Sequence, residues 1–197
     1  MSVINGTATR KRNFQIMIDV NQEKTNHNQK TYTGKFNNFR RRYYSNPGDF
    51  WQDFRYMLSH RKIIKRAMRE EQISPAFRER LMIAVTEVNQ CRYCRAFHIQ
   101  QAYQAGLSKE EIDSYLSGII PEDIPVEEKI AVCFAQHWAE NDGQHNKEYE
   151  NQIRETYGKE GFNSILMILR MIRMGNLLGN TWDYFLYRIS FGHWGQD

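Results

Sequence analysis

Cys91, Cys94 and His98 stand in the order Cys-x-x-Cys-x-x-x-His, and steps of three and four residues put two sulfurs and an imidazole on one stripe of a helix that begins at Cys91. Cβ atoms three apart on a helix lie about 5–6 Å from each other, against the roughly 3.5–4.5 Å a disulfide needs. A small adjustment at the helix start therefore lets the pair pass between dithiol and disulfide. The unpaired N–H groups and positive dipole end of a helix N-terminus favour thiolate over thiol, and can bring a Cys-x-x-Cys cysteine from about 8.5 to near 7 or below. His98 adds a base one turn beyond Cys94. A stabilised thiolate, a second thiol and a base are what a redox nucleophile requires.

The elements that must position these groups read as helices. Pro47 and Gly48 follow Asn46, after which Phe50, Trp51, Phe54, Met57 and Leu58 recur at helical spacing. Lys62–Arg69 either continues that helix or follows a bend at Ser59–His60. Ser74 and Pro75 supply an N-cap and a first-position proline to a helix lined by Phe77, Leu81, Ala84, Val85 and Val88. Met82 and Ile83 widen its apolar surface, so burial on most faces is expected. Gln90–Cys91 turns the chain, and the motif helix runs to about Ala105, where Gly106 suits a left-handed cap. Ser108 with Glu111 reads as a capping box for a short helix to about Leu116. Pro121 and Pro125 bracket a loop. Val126–Glu140 carries Ile130, Cys133, Phe134 and Trp138, a polar helix lies near Lys147–Tyr157, and a long helix covers roughly Phe162–Tyr187. With no glycine-rich phosphate loop and no strand–helix alternation, the expected fold is all-α, a bundle of about seven or eight helices.

A chain of 197 residues, 41% of them hydrophobic, can bury a sizeable single core. Residues 1–46 hold nine Lys or Arg against two acids, so the remainder is net acidic although the whole chain is formally +4. Rich in Asn, Gln and Thr, this segment is expected to be a loosely ordered basic arm with a short strand at Phe14–Val20, ahead of a helical domain over 47–197. Like-charge blocks of this kind are mostly solvated or partner-docking tails, and contact with nucleic acid or an anionic surface is the lesser expectation. Three cysteines, two of them in one motif, do not make a secreted disulfide framework, and no secretory leader is read after Arg10, Lys11 and Arg12 because Gln15 and Asp19 interrupt the apolar run. A cytoplasmic location is expected. Ile165–Leu169 is strongly apolar, yet Arg170 and Arg173 end it far short of the ~20 residues of a membrane span. Gly175 and Gly179 are spaced for close approach of another helix, and Trp182, Tyr184, Phe185 and Tyr187 suit a core or a subunit interface, so a homo-oligomer is expected.

Glu79, eleven intervening residues, Cys91-x-x-Cys94 and then His98 resemble the signature of the alkyl hydroperoxidase D (AhpD)-like branch of the carboxymuconolactone decarboxylase superfamily. The resemblance covers roughly Asn46–Gly118, with the Gly175–Tyr187 region similar in general character. It implies an AhpD-like all-helical bundle, a trimer or hexamer, and a dithiol that reduces hydroperoxides or passes electrons between disulfides, supplied by a thiol, thioredoxin-like or lipoyl-type donor and needing no cofactor. On the matching positions, Cys94 would attack the peroxide, Cys91 would donate a proton and then resolve the sulfenic acid, and Glu79 and His98 would form the proton relay. Some members carry a second histidine directly before the second cysteine, where this chain has Tyr93. A simple antiparallel hairpin leaves an axial gap of about 7 Å between Glu79 and His98, so their contact requires side-chain reach, a water or inclined helices.

Three other readings compete. A superfamily decarboxylase without redox chemistry needs no vicinal thiols. Cys91, Cys94, Cys133 and His137 could supply Cys₃His zinc ligands, but Cys133 sits in the run Ala-Val-Cys-Phe-Ala, where a free cysteine behaves as a small hydrophobe. Ala102 to Ser108 followed by a short helix mimics a DNA-binding helix-turn-helix, yet its reading helix would be Lys109-Glu110-Glu111-Ile112-Asp113, whose acids repel phosphate.

Overall fold

The structure, a computed structural model, describes residues 39–69, 73–144 and 147–196. The chain divides into two compact units, Met1–Arg40 and Arg41–Asp197, and every helix described lies in the second. The strand expected at Phe14–Val20 falls outside the described residues.

Seven helices and no strand are present among the described residues: α1 (Pro47–Ser59), α2 (Arg61–Ala67), α3 (Pro75–Asn89), α4 (Arg92–Gln104), α5 (Lys109–Leu116), α6 (Val126–Glu140) and α7 (Lys147–Ile189). The fold is all-α. Side-chain caps set several of the starts. Asn46 accepts the Gly48 N–H at 2.8 Å ahead of Pro47, and Ser74 Oγ accepts the Phe77 N–H at 3.1 Å ahead of Pro75, so each satisfies a donor that the first turn leaves free. Of the two alternatives left open at Ser59–His60, the structure takes the bend, which separates α1 from α2 with His60 itself at φ −107°, ψ 26°.

Helix α3 is the centre of the bundle and packs against α4, α5, α6 and α7. Phe77, Leu81, Met82, Ile83, Ala84 and Val85 are all buried in it, as the width of its apolar surface requires; Val88 is only partly covered. Phe134 and Trp138 from α6 and Ile165, Ile168 and Leu169 from α7 complete the core. Arg80 of α3 ties two neighbours down, pairing with Glu111 of α5 at 2.6 Å and Glu128 of α6 at 2.7 Å. That use of Glu111 modifies the expected capping box. Ser108 Oγ does accept the Glu111 N–H at 3.1 Å, while the Glu111 carboxylate is spent on Arg80, a largely buried charge whose pairing matters more than one further cap.

The polar helix near Lys147–Tyr157 and the long helix from Phe162 prove to be parts of α7. They meet at Gly158, whose φ of 70° and ψ of 176° interrupt the helical path, and the helix resumes there and continues to Ile189. Of the two glycines expected to admit a close neighbour, only Gly179 does so: a Cβ on it would stand 2.8 Å from Cys91 Sγ, whereas one on Gly175 would meet nothing within 4 Å. Trp182 and Phe185 are exposed and Tyr184 stacks on Tyr43 at 4.0 Å, so these aromatics do not form a core.

Residues 41–46 lie as a strap across α6 and α7. Arg42 donates to the Ala139 and Glu140 carbonyls at the end of α6, where unpaired acceptors and the negative dipole end favour a cation. The Tyr44 N–H donates to Thr181 Oγ1 at 3.0 Å, and Asn180 donates to the Arg42 carbonyl at 2.9 Å. No helix of the described residues is long and apolar enough to cross a membrane.

Candidate functional site

The site is built where α3 hands over to α4. Gln90 ends α3 in a left-handed conformation at φ 54°, ψ 40°, which turns the chain sharply, and Cys91 is extended at φ −81°, ψ 105° as the N-cap of α4. Its Sγ accepts the Cys94 N–H at 3.3 Å, so a sulfur stands where a cap usually places oxygen. Cys91 is wholly buried, Cys94 is half-buried, and all three cysteines are free thiols.

This geometry separates the two thiols electrostatically. The Cys91 pKa falls from 9.0 to about 7, chiefly through the neighbouring Cys94 side chain and against the opposing effect of burial, with help from the backbone N–H groups of Cys94 and Tyr93. Cys94 is pushed upward, first by the Cys91 side chain and then by burial and the Cys91 charge. An inner thiolate beside an outer thiol is thus favoured as pH rises through about 7. Burial raises Cys133 to about 11, as befits a cysteine in an apolar helix.

Glu79 and His98 meet directly. His98 Nδ1 lies 2.7 Å from Glu79 Oε2, with both side chains almost fully covered. The helices bring together what a parallel-axis estimate left about 7 Å apart along the axis. An ionised carboxylate only accepts, so the bond places a proton on Nδ1 and leaves Nε2 as the nitrogen able to exchange one. Glu79 is the fifth residue of α3 and is only 5% exposed.

A second cluster borders the thiols, and the reading of the sequence missed it. Asp183 of α7 is fully buried. Its Oδ1 accepts from Arg92 Nη2 and from the Tyr93 hydroxyl, each at 2.7 Å, and its Oδ2 accepts from Arg41 Nη1 of the strap at 2.7 Å. Asn176 and Asn180, also buried on α7, take the Thr86 hydroxyl at 3.2 Å and donate to the Asn89 carbonyl at 2.8 Å. The available signal was the spacing of Asn176, Asn180 and Asp183, a polar stripe at helical period inside an apolar and aromatic helix. Among the described residues no three His, Cys, Asp or Glu side chains are grouped to hold a metal ion, so Cys91, Cys94, Cys133 and His137 do not assemble a zinc site there. His137 instead stacks on Tyr149 at 4.4 Å.

Residues 54–122 match the model of the carboxymuconolactone decarboxylase family. That third of the chain runs from within α1 past the end of α5 and includes Glu79, Cys91, Cys94 and His98, and the match supports the superfamily. No curated protein and no solved structure matches the chain.

Proposed function

We propose that the protein is a dithiol oxidoreductase of the AhpD-like kind, a thiol-dependent peroxidase or disulfide reductase working through Cys91 and Cys94. The observation that carries this reading is the cap itself: Cys91 Sγ held by the Cys94 N–H at 3.3 Å, a charge-stabilising helix start with a second thiol one turn away. The matched family also contains enzymes that need no vicinal thiols, and the electrostatic division of this pair favours redox chemistry over that alternative. The setting would be the reducing cytoplasm.

The steps balance as follows. The outer sulfur of Cys94 attacks the terminal oxygen of a hydroperoxide and the O–O bond breaks; Cys94 becomes a sulfenic acid while its proton passes to the Cys91 thiolate. The departing alkoxide takes a proton through His98, which Glu79 holds at Nδ1. Cys91 then attacks the Cys94 sulfur, its proton returns to the imidazole, and the hydroxide leaves as water by taking one proton from solvent. One hydroperoxide, one thiol, one thiolate and one solvent proton thereby yield an alcohol, water and a Cys91–Cys94 disulfide, which two electrons and two protons from a thiol or lipoyl-type donor reduce again.

The roles are separable by substitution. Cys94→Ser should abolish peroxide consumption, and Cys91→Ser should still permit one oxidation, leaving a sulfenic acid that dimedone traps on Cys94. Dimedone labelling of Cys91 in a Cys94→Ser protein that still consumes one peroxide would exchange the roles. Absence of labelling and of turnover in both variants would refute the redox reading.

A further inference from the structure

The two residues between the cysteines, Arg92 and Tyr93, both donate to the same oxygen, Oδ1 of Asp183, each at 2.7 Å. The other oxygen is fixed by Arg41 at 2.7 Å, so the carboxylate cannot turn without breaking an ion pair. Asp183 is 0% exposed, and three charged or polar partners offset what burying it would otherwise cost. One turn earlier on the same helix, Gly179 admits Cys91 Sγ and the Tyr93 ring, which would stand 2.8 and 3.4 Å from a Cβ at that position. Helix α7 therefore offers a seat for the first turn of α4: a flat place at Gly179 for the inner sulfur and an anionic clasp at Asp183 for the intervening dipeptide. Neither residue lies within the segment 54–122 that the family model matches.

We infer that Asp183 is a positioning residue for the dithiol, holding Arg92 and Tyr93 so that Cys91 and Cys94 keep their reduced geometry, and that it thereby sets the balance between dithiol and disulfide. The inference rests on the redox reading given above. Its physical basis is that closing the Cys91–Cys94 bond requires the sulfurs to approach, and the backbone that must adjust is the dipeptide Asp183 grips. Tyr93 occupies the place of a family histidine, and here its hydroxyl is committed to α7. The charge of Asp183 also opposes the Cys91 thiolate. The titratable and charged groups of the elements meeting at this point are Asp183 on α7, Arg41 on the strap, Glu79 and Glu87 on α3, and Arg92, Tyr93, Cys94, Arg95 and His98 on α4.

The test equilibrates full-length protein with mixtures of glutathione and glutathione disulfide, in which the dithiol passes two electrons and two protons to give the protein disulfide and two glutathiones. Alkylation of the reduced protein by iodoacetamide is followed in parallel across pH. Tyr93→Phe removes one grip on the reduced form and should shift the equilibrium toward disulfide by about fivefold, roughly the worth of one hydrogen bond. Asp183→Asn keeps an acceptor oxygen but loses the charge that pairs with Arg92 and Arg41, so it should shift the equilibrium toward disulfide as Tyr93→Phe does, with the alkylation midpoint at lower pH because the charge no longer opposes the Cys91 thiolate. Variants that lose thermal stability yet keep the wild-type equilibrium within about twofold, and the same alkylation midpoint, would reduce Asp183 to a structural ion pair and overturn the inference. Should Asp183→Asn fail to fold, Tyr93→Phe decides alone. A wild-type protein that forms no disulfide at any glutathione ratio would refute the redox reading itself, and the alkylation midpoints would still decide whether Asp183 acts on the thiols.

Discussion

At the scale of single residues, the proposed chemistry depends on unequal sulfurs. The inner sulfur of Cys91 receives hydrogen bonds and is lowered to about 7, and the outer sulfur of Cys94 is raised and is the one with access to solvent. A thiol whose pKa is lowered in the folded protein is ionised above that value and neutral below it, so reactivity that needs the shared negative charge must appear as pH rises through about 7. Alkylation of the pair by iodoacetamide should accordingly be half-maximal near pH 7, with Cys133 silent until the pH approaches its value of about 11. A midpoint near the ordinary thiol value of about 8.5 would contradict the electrostatics of the cap. Cys91, Cys94 and His98 were legible in the sequence because spacing alone puts them on one stripe, whereas Glu79 entered only through the family resemblance. Asp183 was not, because it stands 89 positions after Cys94 and only the packing of α7 against α4 brings it to the dipeptide.

At the scale of elements, the helix-to-helix seat makes a prediction that distinguishes two glycines of identical local setting. Gly179→Ala would drive a methyl to 2.8 Å from Cys91 Sγ. It should destabilise the protein by about 1–3 kcal/mol, the usual cost of overpacking, and slow oxidation of the pair. Gly175→Ala meets nothing within 4 Å and should be neutral or stabilising by up to about 1 kcal/mol, the gain in helix propensity. Thermal denaturation of the two variants checks the contrast, and equal effects would mean that Gly179 is not a contact site. Helix starts were readable because Asn46, Ser74 and Ser108 act locally, through their own next turn. The junction at Gly158 was misread as a gap, since a single residue at φ 70° breaks the path without requiring a loop. Glu111 was misassigned in part because its stronger partner, Arg80, lies on another helix.

At the scale of the whole molecule, a central helix surrounded by α4, α5, α6 and α7 follows from the apolar breadth of α3, and the all-α architecture was legible from periodicity. What periodicity could not supply was the direct contact of Glu79 with His98 at 2.7 Å, which depends on how two helices pack and not on either sequence alone. The strap of residues 41–46 was likewise grouped with the basic arm, since Arg41 and Arg42 look like part of a charge block until their acceptors, Asp183 and the end of α6, are known. The central proposal is that Cys91 and Cys94 are a redox couple, while Cys133, buried on α6, is packing. The most direct measurement is to treat freshly reduced full-length protein with one equivalent of an organic hydroperoxide and map its cysteines and metal content by mass spectrometry. The account predicts loss of the mass of two hydrogens, one intramolecular Cys91–Cys94 bond, a reduced Cys133 and no stoichiometric zinc. A bond involving Cys133, a bound zinc ion or a pair of thiols left intact by the peroxide would contradict it.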